Sequence, residues 1–138
     1  MGKIIRDVMT SNPCTIDADK DIAYAAKMLK DENVGIAPVV DGDQLIGVLT
    51  DRDIAIKVVA EGKDPKATTV REIASTSVVT VDPQQNLDEA LRLMAQYQVR
   101  RLPVVEEDGK IVGILAQADV ALQGDDTKTG EVVEKISK

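Results

Sequence analysis

The spacing of apolar residues predicts the same set of structural elements twice along this chain. In the first copy an extended stretch is followed by an acidic residue suited to the N-cap of a helix. Apolar residues then recur with the spacing of one helical face, at Ile22, Ala25, Ala26 and Leu29. The predicted elements are, in order, a strand at residues 14–16, a helix after Asp21, strands at 37–40 and 45–49, and a closing helix from Thr50.

The second copy follows the first at an offset of 65 residues, as in the match of Pro38 with Pro103. One extra residue in the loop at 107–109 raises the offset to 66, so Asp53 matches Asp119. The predicted elements are a strand at residues 78–81, a helix after Asn86, strands at 102–105 and 111–115, and a closing helix from Ala116. Each copy is therefore a β-α-β-β-α unit, with its first two strands parallel across a helix and its last two forming a hairpin.

The duplication predicts a mixed α/β (α+β) fold made of two units. A unit of this size buries too little surface to be stable alone. The two units are therefore expected to pack sheet to sheet with pseudo-two-fold symmetry. The predicted boundaries are residues 4–60 for the first unit, 61–69 for a polar linker, 70–122 for the second unit and 123–138 for a tail. For the tail, a docked helix and a frayed end are both left open.

Composition indicates an ordinary globular protein in a reducing compartment. No apolar run approaches the roughly 20 residues of a membrane span, and the first residues carry charge too early for a secretory signal. A cytoplasmic location without membrane association is therefore expected. The single cysteine, Cys14, excludes an internal disulfide.

The charge and the missing residue types argue against several functions. A net charge of -7 without a large basic cluster disfavours nucleic acid as a partner. The chain contains no histidine, the commonest general base and a frequent metal ligand, so neither catalysis nor a metal site is expected. Charged turns such as Asp41 with Asp43 and Asp51 with Asp53 are usually solvated, although such pairs also suit a hard cation.

One turn carries candidate chemistry, because an aliphatic strand ends there in a hydroxyl and a carboxylate. Thr50 and Asp53 have the spacing of a capping box, in which each side chain binds the other's backbone N–H. The same oxygens suit the cis-diol of a ribose, since a carboxylate accepts both hydroxyl hydrogens. Both interpretations stay open. The second copy keeps Asp119 but has Ala116 in place of the hydroxyl, and alanine is a poor cap.

Two β-α-β-β-α units, each with a Pro-Val-Val strand and a Gly-aliphatic-aliphatic-x-x-x-Asp turn, resemble a CBS domain pair, also called a Bateman module. The resemblance covers about residues 4–122 and is to the small stand-alone members that carry no enzyme or channel. It implies ligand sensing, with adenine nucleotides or related adenosyl compounds bound in clefts between the two copies. It also implies a homodimer.

The resemblance also assigns roles to residues of this chain. It implies ribose contacts from Thr50, Asp53 and Asp119, with Ala116 putting the second cleft in doubt. It implies phosphate contacts from Arg100 and Arg101, which stand where the first copy has Gly35 and Ile36; two solvated arginines on an acidic protein are the alternative. The family's positions for the base are Cys14, Thr15, Ile16, Ala37 and Pro38.

The function expected from the sequence is a non-enzymatic regulatory module that binds AMP, ADP or ATP and acts on an unknown partner protein. The nucleotide is the expected ligand, and no other cofactor is expected. Two alternatives remain: a structural dimeric scaffold whose clefts hold no metabolite, and a binder of another adenosyl ligand such as S-adenosylmethionine.

Overall fold

The computed structural model describes residues 2–123. Its strands are β1 (Thr10–Ser11), β2 (Ile16–Asp17), β3 (Ile36–Asp41), β4 (Gln44–Thr50), β5 (Arg101–Val105) and β6 (Ile111–Ala116). Its α-helices are α1 (Ile22–Glu32), α2 (Asp51–Ile54), α3 (Val70–Ile73), α4 (Leu87–Tyr97) and α5 (Gln117–Gln123). A 3-10 turn spans Ile5–Asp7, and a π-helical segment, Ala55–Val59, directly follows α2.

The strands form two three-stranded sheets, each built around the hairpin of one predicted copy. In one sheet β3 lies between β2 and β4, parallel to β2 across α1 and antiparallel to β4. In the other, β6 lies between β1 and β5, and β5 and β6 form the antiparallel hairpin. The mixed α+β fold with a tandem repeat is therefore confirmed.

The described residues divide into two compact units, which we call unit A and unit B. Unit A comprises residues 14–78, and unit B comprises residues 2–13 together with residues 79–123. Each unit has its own buried core. The core of unit A centres on Ile16, Ile22 and Leu49, and that of unit B on Met94, Leu102 and Leu115, all at most 1% exposed.

The two long helices begin at the residues that the sequence predicts. The Asp21 carboxylate accepts the backbone N–H of Tyr24 at 2.8 Å, and the Asn86 side chain accepts that of Glu89 at 3.1 Å. The second helix buries its whole predicted apolar face, and α1 buries Ile22, Ala25 and Leu29, whereas Ala26, predicted on the same face, is exposed. These caps satisfy backbone donors that the first helical turn leaves unpaired.

One further pairing on the hairpin of each sheet was not predicted from the sequence pattern. In unit B, Thr10 of β1 pairs with Ile114 of β6. In unit A, Ser75 pairs with Val48 of β4 at the equivalent repeat position. Residues 10 and 75, near the start of each predicted copy, therefore each pair with a hairpin strand of the other copy.

Three predicted elements differ in extent from the structure. The strand expected at residues 14–16 is instead Ile16–Asp17, and of residues 78–81 only Val81 forms a bridge, parallel to Val104. The closing helix after Thr50 changes to π-helical geometry at Ala55. The hydrophobic pattern of the sequence fixes neither the residue at which a strand ends nor whether a helical turn is α or π.

No helix within residues 2–123 is both long enough and apolar enough to cross a bilayer. The tail expected at residues 123–138 lies, from residue 124 onward, outside the described residues.

The α3 segment is attached to unit A by ion pairs and by its own cap. Arg71 Nη2 lies 3.3 Å from carboxylate oxygens of both Asp19 and Asp41. The backbone N–H of Thr69 donates to Glu72 Oε2 at 2.7 Å, and the Thr69 hydroxyl donates to the same oxygen at 3.1 Å. The hydrogen bond from the backbone N–H is the main reason that the pKa of Glu72 lies below its ordinary value, and the hydroxyl adds to the effect.

We expect Glu72→Gln to remove part of the acid sensitivity of folding. Because the folded pKa of Glu72 is lowered, its carboxylate stabilises the fold above the unfolded pKa of about 4.3, and this is lost as pH falls through the folded pKa. The difference in melting temperature between wild type and Glu72→Gln is therefore largest at neutral pH and shrinks on acidification. The check is thermal unfolding across that range, with the exposed Glu61→Gln as control. A difference that is independent of pH contradicts this role.

Candidate functional site

The turn between β4 and α2 holds the predicted ribose residues in a reciprocal arrangement. The backbone N–H of Thr50 donates to Asp53 Oδ2 at 3.0 Å, and the backbone N–H of Asp53 donates to Thr50 Oγ1 at 2.9 Å. This is the capping box expected from the spacing. The side chain of Asp53 is only 16% exposed, so its carboxylate is fixed by surrounding atoms instead of moving freely in water.

Lys57 completes the environment of the Asp53 carboxylate. Its Nζ lies 3.2 Å from Asp53 Oδ1 and donates to the backbone carbonyl of Ile73 at 3.1 Å. Both carboxylate oxygens therefore have a partner, yet each oxygen keeps lone-pair capacity for a further donor such as a hydroxyl. Sequence reasoning missed Lys57, although an acid and a lysine four residues apart on a helix are a recognisable signal.

The equivalent turn in unit B is less complete. The backbone N–H of Ala116 donates to Asp119 Oδ2 at 3.3 Å, but Ala116 has no hydroxyl to return the hydrogen bond. The residue that corresponds to Lys57 by the repeat offset is Gln123. Next to this turn, Gln117 Nε2 is buried and has no hydrogen-bond partner within residues 2–123. The two turns therefore share one carboxylate but differ in the groups around it.

We expect Thr50→Ala to cost about 1 kcal/mol of stability, because it removes the hydroxyl that caps α2. The reverse change, Ala116→Thr, supplies that hydroxyl to unit B and is expected to stabilise it by a similar or smaller amount. Urea unfolding of both variants checks the pair. An unchanged free energy of unfolding in Thr50→Ala would show that the hydroxyl does not act as a cap in solution.

Arg100 and Arg101 lie beside the turn of their own unit. The backbone carbonyl of Arg100 accepts the N–H of Gln117 at 2.7 Å, and Arg101 pairs with Ala116 across β5 and β6. Both arginines are exposed, and neither guanidinium forms a salt bridge with another residue of the described range. They belong to unit B, whereas Thr50 and Asp53 belong to unit A, so a shared site stays a prediction.

The residues predicted to contact the base lie together in unit A but differ in accessibility. Ile16 is 0% and Ala37 2% exposed, and both side chains belong to the core. Pro38, between Ala37 and Val39 in β3, is also buried. Cys14 is exposed and Thr15 half-buried, so these two offer side-chain surface, while the buried ones offer at most their backbone.

Cys14 is the single cysteine of the chain, and its thiol lies beside a methionine. Its Sγ lies 4.0 Å from Met28 Sδ. Partial burial, with a smaller contribution from the charge of Glu32, raises the pKa of the Cys14 thiol. Since the thiolate is the reactive form, this environment fits a packing or contact role better than nucleophilic chemistry.

An open depression of about 470 Å³ lies next to the Thr50 turn, within unit A, and was not predicted. Asp51 lines it, directly after Thr50, and the N–H of Asp51 donates to the Gly35 carbonyl at 2.9 Å. The full lining is Ala26, Leu29, Lys30, Asn33, Val34, Gly35, Asp51 and Ile54. A side chain at position 35 would occupy this space, as its Cβ would lie 3.2 Å from Asp51 Oδ2. The sequence signal for it is the contrast between Gly35 and Arg100 at one repeat position.

Within residues 2–123 no cluster of three or more acidic, cysteine or histidine residues has the arrangement of a metal site. Asp41, one of the acids considered for a hard cation, is instead paired with Arg71.

Comparisons with known proteins connect this geometry with one family. The family model for the CBS domain matches the chain twice, at residues 5–60 and 70–123. The CBS domain-containing protein YhcV of Bacillus subtilis is 41% identical over 134 residues, which cover 96% of this chain and 94% of YhcV.

Two solved structures are similar to this chain and contain adenosyl ligands. The crystal structure of CBSX2 in complex with AMP has a TM-score of 0.77 and 28% identity, covering 88% of this chain and 95% of CBSX2. The CBS domain pair of protein MJ0100, in complex with 5-methylthioadenosine and S-adenosyl-L-methionine, has a TM-score of 0.74 and 29% identity, with coverage of 88% and 95%. With its two matched copies and two sheets, the chain belongs to the CBS domain family as a tandem pair of CBS domains.

Proposed function

We propose that this chain is a non-enzymatic sensor that binds an adenosine nucleotide, AMP, ADP or ATP, through the Thr50–Asp53 turn of unit A. The observation that carries the proposal is the Asp53 carboxylate. It is mostly buried, held through both oxygens and placed beside a hydroxyl, in a turn whose Asp51 lines an open depression. A fixed carboxylate with spare lone pairs is suited to accept the two hydroxyls of a ribose.

Three further observations support this assignment. CBS domain pairs are regulatory ligand-binding modules, and the two similar structures contain AMP or adenosyl compounds. The complete arrangement occurs in one copy only, which favours one principal site. Arg100 and Arg101 are exposed and without a salt bridge among the described residues, as a phosphate contact requires; we propose them as the phosphate contacts.

Isothermal titration of the full chain with AMP, ADP, ATP and S-adenosylmethionine tests the proposal. We expect saturable binding of at least one adenine nucleotide at about one site per chain. Tighter binding of S-adenosylmethionine than of any nucleotide would shift the assignment to an adenosyl sensor. Absence of heat and of any thermal stabilisation with all four ligands would overturn it, because a ligand that binds only the folded state must raise the melting temperature.

A structural scaffold is the competing function, and one observation favours it. Thr50 and Asp53 satisfy each other's backbone groups, so the turn is complete without a ligand. The titration distinguishes the two functions, since a scaffold gives no signal with any of the four compounds.

We also propose that the chain acts as a homodimer that presents its ligand state to a partner protein. Large apolar side chains are exposed on the helices: in unit A Tyr24 at 51%, Ile56 at 46% and Val59 at 72%, and in unit B Tyr97 at 50%. We propose these side chains as contacts between the protomers. Light scattering coupled to size-exclusion chromatography tests the oligomeric state, with Val59→Lys expected to weaken self-association. A wild-type monomer at high protein concentration would contradict it.

A further inference from the structure

Lys57 makes two contacts that join the candidate ribose turn to a distant part of unit A. Its Nζ is 3.2 Å from Asp53 Oδ1 and donates to the Ile73 carbonyl at 3.1 Å. Ile73 ends α3, which precedes the Ser75 backbone that pairs with β4. One ammonium group therefore connects the start of α2 with the segment that pairs with β4.

These contacts fix the orientation of the Asp53 carboxylate. The Thr50 N–H holds Oδ2 and Lys57 holds Oδ1, so rotation of the carboxylate about its last torsion breaks one contact or both. That torsion is broad and weakly restrained in an isolated side chain. A carboxylate that receives a diol gains from being held in advance, because less ordering remains for binding.

The π-helical geometry of Ala55–Val59 contains Lys57, and such segments occur frequently at functional sites. The side chain of Lys57 is 45% exposed, so its charge is partly solvated and available. That positive charge offsets the negative charge of Asp53, which would otherwise repel the phosphates of a bound nucleotide.

We infer that Lys57 is a positioning residue that orients Asp53 for the ribose diol and thereby sets the preference of the site for ribose over 2′-deoxyribose. This inference rests on the proposed function. The two copies differ at these positions, because the second copy has Gln123 where the first has Lys57 and Ala116 where the first has Thr50.

The test compares the affinity of the full chain for AMP and for 2′-deoxy-AMP. The variants are Lys57→Met, Lys57→Arg as the conservative replacement, and Lys57→Gln as a second uncharged replacement should the methionine variant not fold. Lys27→Met is the matched control, because Lys27 is exposed on α1. The ratio of the two affinities is the readout, since a general loosening of the fold changes both affinities alike.

We expect wild type to prefer AMP, and Lys57→Met to reduce this preference about tenfold, the effect of one hydrogen bond to a charged group. Its affinity for 2′-deoxy-AMP stays within about twofold of wild type on the same argument, since that ligand makes fewer contacts with Asp53. Lys57→Arg retains most of the preference, and Lys27→Met retains all of it.

Two results overturn the inference while the proposed function stands: an unchanged ratio in Lys57→Met, or an equal loss for both ligands, which indicates a phosphate contact or general loosening. A wild-type chain that binds neither ligand overturns the proposed function and the inference together. A wild-type chain that binds both ligands equally removes the ribose role of Asp53, and with it the role of Lys57.

Discussion

Asp53→Asn is expected to weaken AMP binding about tenfold to a hundredfold, the range of one lost charge-assisted hydrogen bond or two. The substitution is nearly isosteric, and the amide oxygen can still accept the Thr50 N–H, so the turn is preserved. What changes is the charge, the second acceptor oxygen and the ion pair with Lys57. Titration calorimetry measures the affinity, and circular dichroism confirms that the variant is folded.

Asp119→Asn is the matched control, because Asp119 occupies the same repeat position and accepts the equivalent N–H from Ala116. The turn of Asp119 lacks both the hydroxyl and the lysine. We therefore expect Asp119→Asn to lower the affinity for AMP by less than about threefold, which is below the effect of one full hydrogen bond. Unchanged affinity in Asp53→Asn would remove the ribose assignment. Equal losses in both variants would show that two turns bind ligand.

Gly47→Ala is expected to destabilise the protein by about 2–4 kcal/mol, through overpacking and the loss of backbone hydrogen bonds. A Cβ at position 47 would lie 2.5 Å from the carbonyl oxygen of Ser75. Backbone atoms cannot turn aside as a side chain can, so Ser75 must withdraw. Its two hydrogen bonds with the backbone of Val48, both 2.9 Å, then weaken.

Urea unfolding measures this cost, with Gly113→Ala and Gly35→Ala for comparison. A Cβ at Gly113 would meet Met9 Sδ at 2.5 Å and the Thr10 carbonyl oxygen at 2.9 Å, so a similar but smaller loss is expected. At Gly35 the nearest atom is the end of the Asp51 side chain at 3.2 Å, which can move aside. We expect Gly47→Ala to destabilise the protein most, Gly113→Ala less and Gly35→Ala least. If Gly47→Ala has the same midpoint of urea unfolding as wild type, Ser75 is not held against β4.

Much of the local structure was predictable, because it depends on residues close together in the sequence. Asp21 and Asn86 cap the helices that follow them, and two apolar runs separated by a glycine-containing turn form the hairpin after each helix. The capping box at Thr50 and Asp53 follows from a spacing of three residues. The site assignments came from the repeat and its resemblance to a family, so the sequence named these residues without showing how their side chains are held.

The sequence by itself determined the duplication, the order of elements in each copy and the carboxylate at each turn, since these follow from periodicity and short-range capping. Only the tertiary structure decided that Thr10 pairs with β6 and Ser75 with β4, that Gly47 admits a carbonyl oxygen and that Lys57 reaches Ile73. The physical reason is that these contacts use backbone groups far apart in the chain. Backbone N–H and C=O are the same in nearly every residue, so side-chain patterns do not reveal which distant segment they pair with.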